Sequence, residues 1–362
     1  MYSVYSIIIQ KVETVIHFAQ KCIFFHLILE TVGAMKMEKE NEVRVIDQHF
    51  FDIDRQAECL SGYDQRYQQI SSGKFSGQFK TAILDRKTGL YFEEVNQVLD
   101  QYGSVPEDSY SVIFLMNSNL SCKLNGQPFS PNNLWLGGPG STFNTLSVPG
   151  THFGVIDFER HFFEDTFHCN YPKVDNMSIT AAFGMLDSDR NTAKRLRHTI
   201  GEVLSILQNW TPLSGSAAIQ SIRNDLAEII SGCIFHLVYG SLRDKSKTSS
   251  NYFKIWKKAR DFINENKAID ISVTDLCRNI NVSRRTLEYS FHYSLGKSPA
   301  AYLRSIKLNE IRRAFLLPEN AEKPIGDIVA DWGIWHLSRF AQYYKQQFNE
   351  LPSETRKCWR RQ

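Results

Sequence analysis

The sequence predicts an α+β protein, with a β-rich front half followed by an all-α C-terminal region that contains two helix-turn-helix units. Three patterns support this fold class. Short apolar runs separated by Gly and Pro occupy residues 73–158, helical periodicity extends over 189–239, and residues 252–356 consist of short helical stretches joined by turn signals. Of the 362 residues, 42% are hydrophobic and 22% charged, a composition typical of a globular protein with two domains.

The positive charge is concentrated in the C-terminal part of the chain. From Tyr252 onward there are 20 Lys and Arg against 12 Asp and Glu, whereas the rest of the chain has 22 against 27. A basic domain favours a polyanionic partner. The seven cysteines are scattered and form no C-x-x-C pair, so we expect reduced thiols, no disulfide framework and no metal or other cofactor.

Residues 1–40 form an N-terminal extension. Its apolar run, residues 22–29, is too short to cross a bilayer and no small-residue cleavage site follows it. Met35 and Met37 precede a polar stretch, so the extension either belongs to the protein or lies upstream of its true start. We therefore expect a cytoplasmic protein with no membrane partner.

Residues 41–239 are predicted to form the front domain. Apolar runs at 110–116, 121–124, 143–148 and 153–158 indicate strands, and Asn125-Gly126 is a strong hairpin signal because both turn positions need a positive φ. The strands and their turns favour a small β-sandwich or barrel. Two helices, at 189–210 and 217–239, follow it and either close its core or present a seam to a second subunit. Residues 240–251 have the Ser-, Lys- and Gly-rich composition of a linker.

Residues 252–362 are predicted to bind DNA. Ser272 and Asp275 have the spacing of a capping box, Asn281 gives a short turn, and Ser283 caps a helix over residues 284–294. The outward face of that helix offers donors and acceptors suited to base edges in the major groove. It consists of Arg284, Arg285, Glu288, Tyr289 and His292. The alternative is a solvated face on which Arg284 only pairs with Glu288.

A second unit of the same kind follows. A helix is predicted over 324–332, Gly333 permits a sharp turn, and a second candidate recognition helix covers 337–348. Its outward residues are His336, Ser338, Arg339, Gln342 and Lys345. The helix that joins the two units, residues 299–317, is about 28 Å long, close to the repeat of about 34 Å between successive major-groove faces. One chain is therefore expected to reach two adjacent turns of the duplex.

Residues 272–356 resemble the DNA-binding domain of the AraC/XylS (arabinose-regulator) family. The resemblance rests on residues 282–287, Phe291, 296–299, 302–303, 307–308, 333–334, 338–340, Phe348 and 352–353. It departs mildly at Lys307, Ile334, Asn349 and Thr355, and Asn349 then has to adopt a left-handed cap. By this resemblance the base-reading residues are Arg284, Arg285, Glu288, Tyr289, Trp335, His336, Ser338, Arg339 and Gln342, with Leu337 offering only apolar contact.

The resemblance also implies a function. It predicts a sequence-specific transcription regulator, an activator, whose cupin-like front barrel binds a small-molecule effector and dimerises, with duplex DNA and RNA polymerase as further partners. Trp135, Phe143 and Phe153 either line the effector pocket or belong to the plain core. Residues 73–77 and 332–337 show a weaker resemblance to ethanolamine-operon activators, which does not assign the effector.

Two other functions stay open. In one, the front domain only dimerises and binds no ligand. In the other, the protein is a metal-cupin enzyme, for which the sequence offers only His152, His161 and His168 and no H-x-H pair. We expect no catalysis, because there is no phosphate loop, nucleophile elbow or pair of catalytic carboxylates.

Overall fold

The computed structural model describes residues 44–171 except 61, 86–87 and 118, then 183–187, scattered helical positions between 194 and 232, 251–266 and 271–359. The predicted extension at 1–40 lies outside these residues, as do the linker except Asn251 and most of the two predicted helices at 189–239. None of the helices in the described part is long and apolar enough to cross a membrane.

The front domain consists of two antiparallel sheets. In chain order its strands are β1 (Arg44–Phe50), β2 (Asp64–Gln69), β3 (Gly77–Asp85), β4 (Thr88–Val95), β5 (Leu99–Ser104), β6 (Ser109–Leu115), β7 (Cys122–Leu124), β8 (Gln127–Phe129), β9 (Asn133–Gly137), β10 (Thr142–Leu146), β11 (Thr151–Glu159) and β12 (Gly184–Asp187). The seven-stranded sheet has the order β1-β3-β4-β11-β6-β9-β12, and the five-stranded sheet has the order β2-β5-β10-β7-β8.

The predicted β-rich front domain is confirmed, but it is not a closed barrel. Closure requires the two terminal strands of a sheet to pair with each other. Here β1 and β12 remain edges of one sheet, and β2 and β8 remain edges of the other. The four predicted strands correspond to β6, β7, β10 and β11, and the Asn125-Gly126 hairpin joins β7 to β8 with φ values of 49° and 75°. The strands β1 and β2 precede the region predicted from the sequence.

The seven-stranded sheet is covered on both faces. Apolar side chains from both sheets meet between them, among them Ile113, Trp135, Phe143 and Phe153. The opposite face packs against helix α2 and against described helical residues of the following region, such as Leu196. Where this region is described, its apolar stripe therefore closes the core of the front domain.

The α-helices whose bounds the structure describes, numbered in chain order, are α1 (Ile53–Ala57), α2 (Arg160–Asn170), α3 (Asn251–Glu265), α4 (Val273–Asn279), α5 (Arg284–Leu295), α6 (Pro299–Leu316), α7 (Ile325–Asp331), α8 (Leu337–Phe348) and α9 (Pro352–Trp359). Helices α3 to α9 form the C-terminal region, which contains the two predicted helix-turn-helix units.

Local capping signals fix the helix boundaries in this region. The capping box of Ser272 and Asp275 is present, and the Ser283 side chain accepts a hydrogen bond from the Thr286 amide at the start of α5. Asn281 and Gly333 take positive φ values of 53° and 70° in the two turns. Asn349 ends α8 with a φ of 54°, which is the left-handed cap expected at that position.

The two halves of the protein pack against each other. Ile70 of the front domain is 1% exposed and belongs to the same core as Trp256, Phe291 and Tyr302 of the C-terminal region. Val98 and Leu146 pack against that core as well. The outer face of the five-stranded sheet therefore covers part of the C-terminal core.

Candidate nucleic-acid interface

The first candidate recognition helix is α5. Leu287 and Phe291 are fully buried and anchor it on α3 and α6, which leaves the opposite face in solvent. On that face Arg284 and Arg285 are exposed, Tyr289 is 51% exposed and Glu288 is half-buried. Among the described residues Arg284 and Glu288 form no ion pair within 4.0 Å.

Arg285 is held by its neighbour one turn away. Its guanidinium carbon lies 5.6 Å from the centre of the Tyr289 ring, and Nη2 donates a long hydrogen bond of 3.5 Å to the Tyr289 hydroxyl. A cation above an aromatic face is attracted by the ring quadrupole. The pair therefore presents a guanidinium and a phenol together at the N-terminal part of the helix, where a major-groove reader contacts bases.

The second candidate recognition helix is α8. Phe340, Tyr344 and Phe348 are buried, as the predicted stripe requires. At its N-terminal end Trp335 is 77% exposed and Leu337 is 48% exposed. The remaining predicted readers are all exposed as well: His336, Ser338, Arg339 and Gln342. His336 is the N-cap residue of α8, but its side chain accepts no hydrogen bond from a helix amide.

Helix α6 joins the two units as one shared element. It has 18 residues, which corresponds to about 27 Å. Its first half contributes Tyr302 and Ile306 to the core of the first unit. Its second half contributes Ile311 and Phe315 to the core of the second unit. Because one rigid helix belongs to both cores, it holds the two recognition helices at a fixed separation.

Two side chains beside α8 did not appear among the residues predicted from the sequence. Tyr343 is contacted by Arg339 of the same helix, with the guanidinium carbon 5.6 Å from the ring centre and Nε 3.3 Å from the hydroxyl. Arg304 of α6 approaches the same ring at 4.5 Å. The i, i+4 spacing of Arg339 and Tyr343 was a visible signal, whereas the approach of Arg304 depends on the tertiary packing.

The front domain contains a cavity between its two sheets, with a volume of about 40 Å³. Phe143 and Phe153, two of the three predicted pocket residues, line it, whereas Trp135 packs edge-on against Phe143 at 6.0 Å and is not part of the wall. The other lining side chains are Leu60, Tyr63, Gln65, Tyr67, Phe79, Tyr91, Glu93, Gln101, Ile113, Thr145 and Val155.

Glu93 is the acidic group of this cavity wall. Burial raises its pKa, while hydrogen bonds from Gln56, Tyr67 and Gln101 act in the opposite direction. The amide nitrogens of Gln56 and Gln101 each lie 2.9 Å from a Glu93 oxygen. A buried carboxyl thus stands in an aromatic wall that includes no Lys, Arg or His.

A second buried carboxyl lies directly behind the wall. Burial raises the pKa of Asp157 to about 6, against hydrogen bonds from Tyr63 and Ser111. The Tyr63 hydroxyl, on a ring that lines the cavity, donates to Asp157 Oδ1 at 2.6 Å. The cavity is therefore surrounded by acidic and neutral groups.

The histidines considered as metal ligands are spread over two elements. His152 lies on β11, whereas His161 and His168 lie on α2. In the part of the chain that the structure describes, no group of three His, Cys, Asp or Glu side chains is arranged to hold a metal ion.

Comparison with known proteins gives matches to the C-terminal region. A family model described as a helix-turn-helix domain matches residues 276–358. The XylDLEGF operon transcriptional activator of Pseudomonas putida is 36% identical over 104 residues, which are 28% of this chain and 32% of that protein. Regulatory protein HrpB of Ralstonia nicotianae is 35% identical over 106 residues, 29% of this chain and 22% of that protein. The chain thus spans about a third or less of these relatives.

Among solved structures, the AraC-like transcriptional activator CuxR is 14% identical and has a TM-score of 0.38, with 80% of this chain and 100% of that chain covered. ToxT from Vibrio cholerae is 13% identical with a TM-score of 0.28, and 81% of this chain and 96% of that chain are covered. At these values the likeness carries no comparison of individual residues.

Proposed function

Residues 276–358 form a helix-turn-helix domain of the AraC/XylS family, and on this premise we propose that the chain is a sequence-specific DNA-binding regulator of transcription, an activator controlled by a small molecule in its front domain. One observation carries the DNA-binding part. The recognition helices α5 and α8, whose units share α6, each expose a face of polar, basic and aromatic side chains at the N-terminal end. Faces of this composition fit base edges and flanking phosphates in successive major grooves.

The five-stranded sheet supports control by a ligand, because one of its faces lines the cavity and the other contacts the C-terminal region. Successive residues of a strand point to opposite faces. In β2, β5 and β10 one alternating set lines the cavity: Gln65, Tyr67, Gln101, Phe143 and Thr145. The intervening set meets the C-terminal region or supports the groups that do: Arg66, Gln68, Asp100, Tyr102, Asn144 and Leu146. A single layer of backbone therefore separates the cavity from the DNA-binding half.

Polar contacts across this boundary reach both helix-turn-helix units. The Tyr302 hydroxyl donates to Asp100 Oδ2 at 2.8 Å, and the Asn309 side chain donates to the carbonyl of Gln69 at 3.1 Å. Gln347, near the end of α8, donates to the same carbonyl at 2.8 Å. A ligand that displaces β2 therefore acts on α6 and α8 together, and one that displaces β5 acts on α6.

A second group of contacts surrounds helix α1. Arg313 of α6 donates from Nε to Asp54 Oδ2 at 2.9 Å and from Nη2 to Asp54 Oδ1 at 2.7 Å. A bidentate guanidinium-carboxylate pair fixes orientation as well as distance. Gln56 of the same short helix donates to Glu93 in the cavity wall. Helix α1 thus gives a second connection between the cavity and α6.

The side chains that line the cavity restrict the chemical class of the proposed effector. An anionic ligand would be brought next to buried carboxyl groups with no cationic side chain in the wall, which low local dielectric makes costly. The ligand proposed is therefore a small uncharged or cationic molecule that contacts aromatic rings and the polar group formed by Glu93, Gln101 and Thr145. Ligand control requires that it bind one state of the regulator more tightly than the other.

Genome-wide mapping of bound DNA tests the DNA-binding part, and the genes next to the bound sites supply candidate metabolites.

Control by a ligand is then tested with a transcription reporter, measured with the full chain, Glu93→Gln and Glu94→Gln. Glu94 is the matched control, because it is an exposed carboxylate on the same strand. The proposal expects a metabolite response that Glu93→Gln alters and Glu94→Gln preserves. A full chain that never responds would favour the alternative in which the front domain only dimerises. Dimerisation and contact with RNA polymerase stay predictions of the family resemblance.

A further inference from the structure

We propose that Arg304, Tyr343 and Arg339 form a clamp for one phosphodiester group of the DNA backbone, at the edge of the groove that α8 enters. The proposal rests on the DNA-binding function proposed above and assigns a backbone contact to Arg304, which lies outside both recognition helices. Its basis is the position of two arginines on one tyrosine ring.

The sequence of α6 puts Arg304 on the side of the second unit. Leu308, Ile311 and Phe315 pack in the core of that unit. Arg304 precedes them by four, seven and eleven residues, so it continues the same stripe of the helix one turn towards its N-terminus. There the core ends, and the Arg304 side chain is exposed. The helix thus carries a guanidinium to the rim of the second unit.

Tyr343 is the shared platform of the two arginines. The guanidinium carbon of Arg304 lies 4.5 Å from the ring centre and that of Arg339 lies 5.6 Å from it. The pKa of Tyr343 is lowered by the hydrogen bond from Arg339, by the charge of Arg339 and by the charge of Arg304. Both cations therefore act on one phenol.

Within the described part of the chain, no acidic side chain neutralises these two positive charges. Where the structure is described, neither Arg304 nor Arg339 has a carboxylate within 4.0 Å. Arginines elsewhere in the same helix are paired: Arg312 with Glu350 and Arg313 with Asp54. Two like charges held close without a counter-ion favour an anion between or beside them, and guanidinium groups match the geometry of a phosphate.

The spacing fits a groove edge. Through the shared ring the two guanidinium carbons are at most about 10 Å apart. The major groove is about 12 Å wide, so an arginine at this distance to the side of a groove-reading residue reaches a flanking phosphate. Arg339 is then within reach of a base edge or of the same phosphate, whereas Arg304 reaches only the DNA backbone.

The test measures salt dependence in the full chain. Binding of the wild type and Arg304→Gln is titrated between about 50 and 200 mM KCl on a bound genomic site and on a random duplex of equal length. Loss of one phosphate contact lowers the slope of log K against log salt by about 0.9, so the ratio of wild-type to variant affinity falls about 3.5-fold across this range. The loss is expected to be equal on both duplexes. The control is Lys194→Gln, which removes one exposed charge from the front domain and leaves the slope unchanged.

Two variants of Tyr343 test the platform. Tyr343→Phe keeps the ring face and is expected to retain the wild-type slope, whereas Tyr343→Leu removes the face and is expected to reproduce the effect of Arg304→Gln. Helical signal and thermal unfolding verify that each variant is folded. An unchanged slope in Arg304→Gln overturns the clamp, and a loss confined to the genomic site assigns Arg304 to base reading and also overturns it. A wild type that prefers no site would instead contradict the proposed function.

Discussion

Removing the Tyr302 hydroxyl should loosen the attachment of the DNA-binding half to the front domain. Tyr302 is 1% exposed, and its hydroxyl donates at 2.8 Å to Asp100, a buried carboxyl of the five-stranded sheet. Its ring packs edge-on against Phe291 at 5.5 Å. Tyr302→Phe keeps that ring contact and deletes only the hydrogen bond. A hydrogen bond to a charged group contributes about 1.5–3 kcal/mol, and a buried acceptor that loses a donor is costly.

A double-mutant cycle isolates this contact. Urea unfolding of the wild type, Tyr302→Phe, Asp100→Ala and the double variant is expected to give a coupling free energy of about 1.5–3 kcal/mol. Tyr293→Phe serves as the control, because Tyr293 is 39% exposed and its substitution should change the unfolding free energy by less than about 0.5 kcal/mol. Single variants whose effects add within about 0.5 kcal/mol would show that this contact does not join the two halves.

Three further predictions concern other parts of the chain. Arg285→Ala is expected to weaken specific binding by about 1–3 kcal/mol, whereas an equal loss on a random duplex in a competition assay would make Arg285 a phosphate contact. The pKa of Asp157 is about 6 in the folded protein, above its ordinary value of 3.8, so its ionisation should cost stability as pH rises through this window. Between pH 4 and pH 7 the cost is about 2.5 kcal/mol, and unfolding at these two pH values should show that Asp157→Asn removes it. Residues 252–362 are expected to fold and bind DNA alone, with lower stability than in the full chain because the cover of Ile70 and Leu146 is lost; a fragment without helical circular dichroism would contradict this.

The helical region could be predicted closely from the sequence because its signals are local. The bounds of α8 agree with the prediction at both ends, since the buried stripe of Phe340, Tyr344 and Phe348 follows a helical period. Caps such as Ser272 and Ser283 need only residues three positions away. These short-range signals also identified the exposed candidate readers.

The sheet arrangement could be predicted only in part, because strand pairing is not local. The strands β1 and β2 carry mostly polar residues and gave no apolar pattern. Glu93 and Glu94 show why the cavity lining could not be predicted from the sequence. Strand alternation requires one of them to point inward, but the sequence does not say which one, and the buried partner Gln56 lies 37 positions away.

The contacts between the two halves could not be predicted from the sequence either, because they are not local. Its contacts join residues far apart in sequence, such as Arg313 and Asp54, which are 259 positions apart. Each of these side chains is polar and by itself resembles an ordinary surface residue. Only the folded chain shows that the sheet which lines the cavity also supports α6.

A footprint of the full chain on one of its own genomic sites tests whether α5 and α8 enter successive major grooves. Protection of guanine N7 from methylation is measured across the site for the wild type, Arg285→Ala and Arg339→Ala. We expect two protected major-groove segments about 10 base pairs apart on one face of the duplex, with each variant losing protection in a different segment. A single protected segment, or two segments on opposite faces, would contradict a rigid pair of recognition helices joined by α6.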